Sequence, residues 1–148
     1  MKMAKSEFIY VTFIRTTPKK LWHALTDLEF GRKYWMGGHQ ETDWKVGSPW
    51  KLFFEGQLAD SGEIVEFKPP KRLAIKWRHE MNPKAKAEGY GLCVMALEPM
   101  KGMVKLTVTH SIARKDSKLI EAVSGGWPSI LSNLKSLMET GKVLMKTW

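Results

Sequence analysis

The chain has 148 residues, and its 24 lysines and arginines outnumber its 15 aspartates and glutamates to give a formal charge of +9. A single cysteine excludes an internal disulfide framework, no Cys/His cluster has metal-ligand spacing, and no run reaches the roughly 20 apolar residues of a membrane span. The expectation is one soluble domain over residues 1–148, with loose ends at 1–7 and 142–148, in a reducing, cytoplasmic compartment.

The opening stretch MKMAKSEFIYVTFIR has an apolar run broken by Thr12 and Arg15 and no small-residue cleavage site, so no signal peptide is expected. Residues 8–15 are instead dense in β-branched and aromatic side chains and predict a strand. Thr16-Thr17-Pro18 then sets a helix start, and Leu21, Trp22, Leu25 and Leu28 recur at three- and four-residue steps through 19–28. Asp27 is placed to cap a second short helix, which Gly37-Gly38 ends after Tyr34, Trp35 and Met36.

From 41 to 113, short alternating runs are punctuated by Gly, Pro and Asp, the pattern of a meandering antiparallel sheet. The predicted strands are 41–45, 49–55, 58–67, 72–80, 90–98 and 103–112. Trp50, Leu52 and Phe54 share one parity, as do Leu73, Ile75, Trp77 and His79, and then Val104, Leu106, Val108 and His110, so one sheet face is apolar. Lys51, Glu55, Lys76, Arg78 and Lys105 take the other parity and face water. Pro69-Pro70 marks a tight turn, because neither residue can donate to a ladder. Residues 117–124 predict a short helix, Gly125-Gly126 a break, and Pro128 the first turn of a long amphipathic helix carrying Trp127, Ile130, Leu131, Leu134, Leu137 and Met138.

With one long helix against a large sheet, the sheet must curve around the helix to hide both apolar surfaces. A curved sheet and a helix seldom seal completely. The space left between them suits a largely apolar small molecule, held in orientation by a few polar groups.

Four stretches carry a resemblance: Trp22-His23-Ala24-Leu25-Thr26-Asp27 after Pro18; Gly62-Glu63-Ile64-Val65-Glu66-Phe67-Lys68-Pro69-Pro70-Lys71-Arg72-Leu73; Leu106-Thr107-Val108-Thr109-His110-Ser111; and Gly126-Trp127 followed by Leu134-Lys135. Together they resemble the heat-shock-protein-90 ATPase activator homologues, a family sharing the helix-grip fold of START lipid-transfer domains, polyketide cyclases and the birch pollen allergen. The resemblance implies an α+β, START-like helix-grip fold: a curved antiparallel sheet of about seven strands around a long C-terminal helix, two short helices after strand 1, and a hydrophobic cavity. The leading functional expectation is a small hydrophobic or amphipathic ligand in that cavity. The alternatives are a chaperone-directed ATPase-activator module and a polyketide cyclase or hydrolase.

The candidate ligand-binding residues are Trp35, Trp50, Phe54, Trp77, His79, Met95, His110, Trp127, Ile130 and Leu134. Trp77 and Trp127 would be stacking walls and His110 a polar anchor. No catalytic residue is assigned, since no nucleophile or orienting acid stands at readable spacing and Glu63 and Glu66 fall on opposite parities. In the cyclase or hydrolase reading, turnover would depend on His110. Cys93 lies in an apolar strand without a neighbouring His or Lys and reads as inert. Basic residues such as Lys19-Lys20 and those at 84–86 are scattered and carry no aromatic-basic RNA signature, so nucleic acid is not an expected partner. Neither glycine pair has phosphate-loop spacing, and no metal or cofactor is expected. The expected partner is a small lipid or aromatic molecule, with a chaperone as the alternative, and the expected state is a monomer or weak homodimer.

Overall fold

The structure, a computed structural model, describes residues 4–148, so the start of the loose end expected at 1–7 lies outside the described residues. β1 (Ser6–Ile14) leads into α1 (Pro18–Thr26) and α2 (Leu28–Tyr34), followed by β2 (Gly38–Glu41), β3 (Pro49–Phe54), β4 (Gln57–Lys68) and β5 (Arg72–His79). A short α3 (Pro83–Ala87) precedes β6 (Gly91–Met100) and β7 (Met103–Ile112), and α4 (Lys118–Thr140) comes last. The seven strands form one antiparallel sheet in the order β1-β7-β6-β5-β4-β3-β2, the α+β helix-grip arrangement expected from the sequence. No helix among the described residues is long and apolar enough to cross a membrane.

The helix starts follow from local chemistry. The Thr17 hydroxyl accepts the Lys20 backbone N–H at 3.2 Å beside Pro18, and the Asp27 carboxylate accepts that of Phe30 at 2.8 Å. Each satisfies a donor that a helix N-terminus leaves free. α3 begins the same way, with the Asn82 side chain accepting from Lys84 and Ala85 and Pro83 next in the chain. Its Asn-Pro start was readable, but lysines at 84 and 86 masked the turn as a run of solvated charge.

Two expectations fail. β2 spans Gly38–Glu41 and not 41–45, because Ser48 bonds both the Lys45 N–H and its carbonyl and folds 45–48 into a turn. Gly125-Gly126 does not break the last helix: α4 runs unbroken through both glycines and Pro128. Each interior glycine costs about 1 kcal/mol against alanine and Pro128 removes one backbone bond. Burial of Leu119 and Ile120 before the glycines and of Trp127, Ile130, Leu131 and Leu134 after them anchors both halves to the same core. The helix start is held from outside as well. The Glu88 carboxylate, just past α3, accepts from the Ser117 hydroxyl at 2.6 Å and from the Lys118 and Leu119 backbone N–H groups at 2.6 and 3.4 Å.

Two bulges in β4, opposite Leu52/Phe53 and between Ile64 and Glu66, bend the sheet around α4. Between them Gly62 stands in register with Trp50 on β3 and Trp77 on β5. The two indoles approach with ring centroids 4.3 Å apart, and a side chain at Gly62 would run into the Lys76 carbonyl of β5. Residues 142–148 run back along α4. There the buried Asn133 side chain accepts from the Leu144 and Met145 N–H groups at 3.0 and 2.8 Å and donates to the Met145 carbonyl at 2.7 Å.

Candidate functional site

A cleft of about 490 Å³ opens between the middle of α4 and the adjoining parts of β3, β4 and β5. On the helix side its wall is Ala122, Val123, Gly125, Gly126, Trp127 and Ile130. The glycine pair therefore makes space: a helix passes within reach of the sheet with no side chain at two successive positions. On the sheet side stand Leu52 and Phe54 of β3, Ala59 and Asp60 of β4, and Trp77 and His79 of β5. Trp35, at the end of α2, completes the interior, while the exposed Met81 and Trp148 stand at the rim. A second depression, of about 450 Å³, lies around Lys76, Tyr90 and Leu92, away from α4.

The indoles pack as an edge-to-face chain. Trp77 meets Trp127 at 5.7 Å and Trp127 meets Trp35 at 5.6 Å, both near 60°. Such geometry sets the positive edge of one ring on the negative face of the next and holds the wall rigid. The Trp35 Nε1–H is buried without a hydrogen-bond partner among the described residues.

Besides that N–H, the polar chemistry of the cleft comes from one cross-strand row, Leu52–Asp60–His79. Asp60 is 8% exposed, and its Oδ2 accepts the Trp77 Nε1–H at 2.7 Å. Burial pushes its carboxyl up to about 6, with Glu80 adding to the rise and His79 and the Trp77 bond opposing it. His79 Nδ1 accepts the Met81 backbone N–H at 3.1 Å, so the neutral ring carries its proton on Nε2. No lysine or arginine lines the cleft among the described residues, although the chain has 24.

Of the residues singled out in the sequence, Trp35, Phe54, Trp77, His79, Trp127 and Ile130 line this cleft. Trp50, Met95, His110 and Leu134 do not; all four are buried in the core outside the cleft lining. His110 sits against the Trp77 and Trp127 rings, where its Nδ1 accepts the Trp127 Nε1–H at 3.1 Å and its Nε2 is buried without a partner among the described residues. Burial pushes its pKa down to about 3, so the ring is neutral and orients Trp127. Cys93 is buried, which raises its thiol pKa. Asp60 escaped the sequence reading although a signal existed, since it shares parity with Gly62 and Ile64 on an apolar strand face. Trp148 carried no comparable signal.

The family model for Activator of Hsp90 ATPase homolog 1-like protein matches residues 15–139. Among curated proteins none matches the sequence. Among solved structures, the Aha1 dimer from Colwellia psychrerythraea is 21% identical with a TM-score of 0.76, covering 93% of this chain and 98% of that one. Protein MLL2253 from Mesorhizobium loti is 20% identical with a TM-score of 0.79, covering 93% and 100%. PFC0360w, an HSP90 activator from Plasmodium falciparum, is 23% identical with a TM-score of 0.73, covering 92% and 96%. Likeness at these identities establishes the fold.

Proposed function

The chain belongs to the family of activator of Hsp90 ATPase homolog 1-like proteins, and from that premise we propose that it binds a small hydrophobic or amphipathic molecule in the cleft between α4 and the sheet. The observation that carries this reading is the volume, about 490 Å³, walled by Trp35, Phe54, Trp77, Trp127 and Ile130, with few polar groups: the Asp60–His79 row and the Trp35 Nε1–H. Pockets of this size and lining bury most of a small ligand's surface and orient it through a few polar contacts. The indoles supply flat apolar area at low entropic cost, and the helix glycines keep the volume open.

Native mass spectrometry against panels of lipids, flavonoids and aromatic acids tests the reading. One equivalent of added mass is expected. Gly126→Leu, which projects a side chain into the cleft, should abolish it. Absence of added mass across broad panels counts against the proposal.

A second reading, a chaperone-directed interaction module, is supported by the family membership and by the likeness to the Plasmodium falciparum HSP90 activator. It predicts stimulation of an Hsp90-type ATPase by the purified chain at micromolar concentration, insensitive to Gly126→Leu. Lack of stimulation removes it.

A further inference from the structure

The charge of the cleft is opposite to that of the molecule. The chain carries +9, yet no lysine or arginine lines the cleft among the described residues, and its one lining carboxylate there is Asp60. Among the described residues only one oxygen of that carboxylate is engaged, by the Trp77 N–H, and the other has no hydrogen-bond partner and is not sealed from the surface. We propose that the cleft selects an amphiphile with a cationic head, an alkyl- or arylammonium, with Asp60 as its counter-ion and the surrounding indoles as its wall. The inference rests on the ligand-binding reading above and names the ligand's class.

Among the described residues, no element around Asp60 sets a lysine or arginine in the cleft lining, although the Trp35 Nε1–H there is a free donor. From α4 the cleft receives Ala122, Val123, Gly125, Gly126, Trp127 and Ile130, none of them charged. From β3 it receives Leu52 and Phe54. From β5 come Trp77 and His79, and Glu80, just beyond, adds a second negative charge held by Arg78 at 2.7 Å, Ser61 at 2.8 Å and Lys86 at 3.6 Å. An anionic head would meet the Asp60 carboxylate and, among the described residues, no lysine or arginine in the lining. A cationic head gains a charge-assisted hydrogen bond to the free oxygen and attraction to indole faces.

Three probes with the same chain and different heads separate the cases: dodecylamine, dodecanol and dodecanoate, each kept monomeric and titrated against the intrinsic tryptophan fluorescence at pH 7.5. The amine is expected to bind about tenfold tighter than the alcohol, the strength of a hydrogen bond to a charged group, and dodecanoate weakest. Bulk attraction by a net charge of +9 favours the reverse order, so an amine preference reports a local carboxylate. Asp60→Asn retains an acceptor for Trp77 and should lower the amine to the level of the alcohol while dodecanol binding persists. In the unmodified chain the amine's advantage should fade as pH drops through about 6, because Asp60 protonates while the alkylammonium stays charged. The proposal is overturned if dodecanoate equals or exceeds the amine, or if the preference survives in Asp60→Asn. Should the alcohol and dodecanoate bind with no advantage for the amine, this inference alone falls; should none of the three bind, the ligand-binding reading falls with it.

Discussion

Asp60 is where this fold gives up stability. A carboxyl whose pKa is raised from 3.8 to about 6 on folding is harder to ionise in the native state than in the unfolded chain. A shift of that size corresponds to about 3 kcal/mol, absent below the unfolded pKa, growing as pH rises from about 4 to 6, and fully present above. Asp60→Asn should therefore stabilise the protein by about 1–3 kcal/mol at pH 7, with the gain vanishing near pH 4; denaturant midpoints of both chains at the two pH values measure it. The neighbouring row holds a residue with the opposite tolerance. A methyl group at Gly62 would lie 1.6 Å from the Lys76 carbonyl oxygen, so Gly62→Ala should destabilise by at least the 1–3 kcal/mol usual for overpacking, read by chemical denaturation. Parity brought Trp77, His79 and Phe54 to the right face from sequence alone. It could not separate the cleft from the layer behind it, which is why His110 and Met95 share the same alternation yet lie outside its lining. Depth is a property of the bent sheet, and period-2 patterning does not record it.

At the scale of elements, α4 shows why local rules misread this helix. Two glycines and a proline within four residues argue for a break, and buried apolar residues on both sides override them. The starts of α1 and α2 were legible because each depends on neighbours in sequence, at Thr17 and Asp27. The Glu88 cap was not legible, since its partners lie about thirty residues further on. Desolvation opposes ionisation of Glu88, but the bonds from Ser117, Lys118 and Leu119 outweigh it and hold the carboxyl below its ordinary value. Its contribution is thus present above the unfolded carboxylate range and lost as pH falls through the lower folded value. Glu88→Gln should cost about 1 kcal/mol at pH 7, within the range for helix capping, and the gap from the unmodified chain should close on acidification toward pH 3. Thermal unfolding at both pH values checks this.

At the scale of the whole molecule, the α+β class, the strand alternation and the second half of the last helix were readable from composition and periodicity, and the helix-grip arrangement from family resemblance. The path of residues 142–148 was not, because it depends on one buried amide. Asn133 joins three places in the chain, donating to the Tyr34 carbonyl at 3.3 Å and exchanging bonds with Leu144 and Met145. Asn133→Ala should lower stability by about 1–3 kcal/mol through the buried groups left unpaired. It should also speed hydrogen exchange at the Leu144 and Met145 amides well beyond that at β6 and β7, a contrast that amide-resolved exchange would display.

The cross-strand indole pair has an optical consequence. Trp50 and Trp77, brought to a centroid separation of 4.3 Å and inclined at 40°, are near enough for their electronic transitions to mix, so the protein should show a split circular-dichroism couplet in the ultraviolet. One of the two chromophores borders the cleft and the other does not. A molecule that tilts Trp77 would change the splitting without touching Trp50, giving the folded chain an internal gauge of occupancy that requires no label.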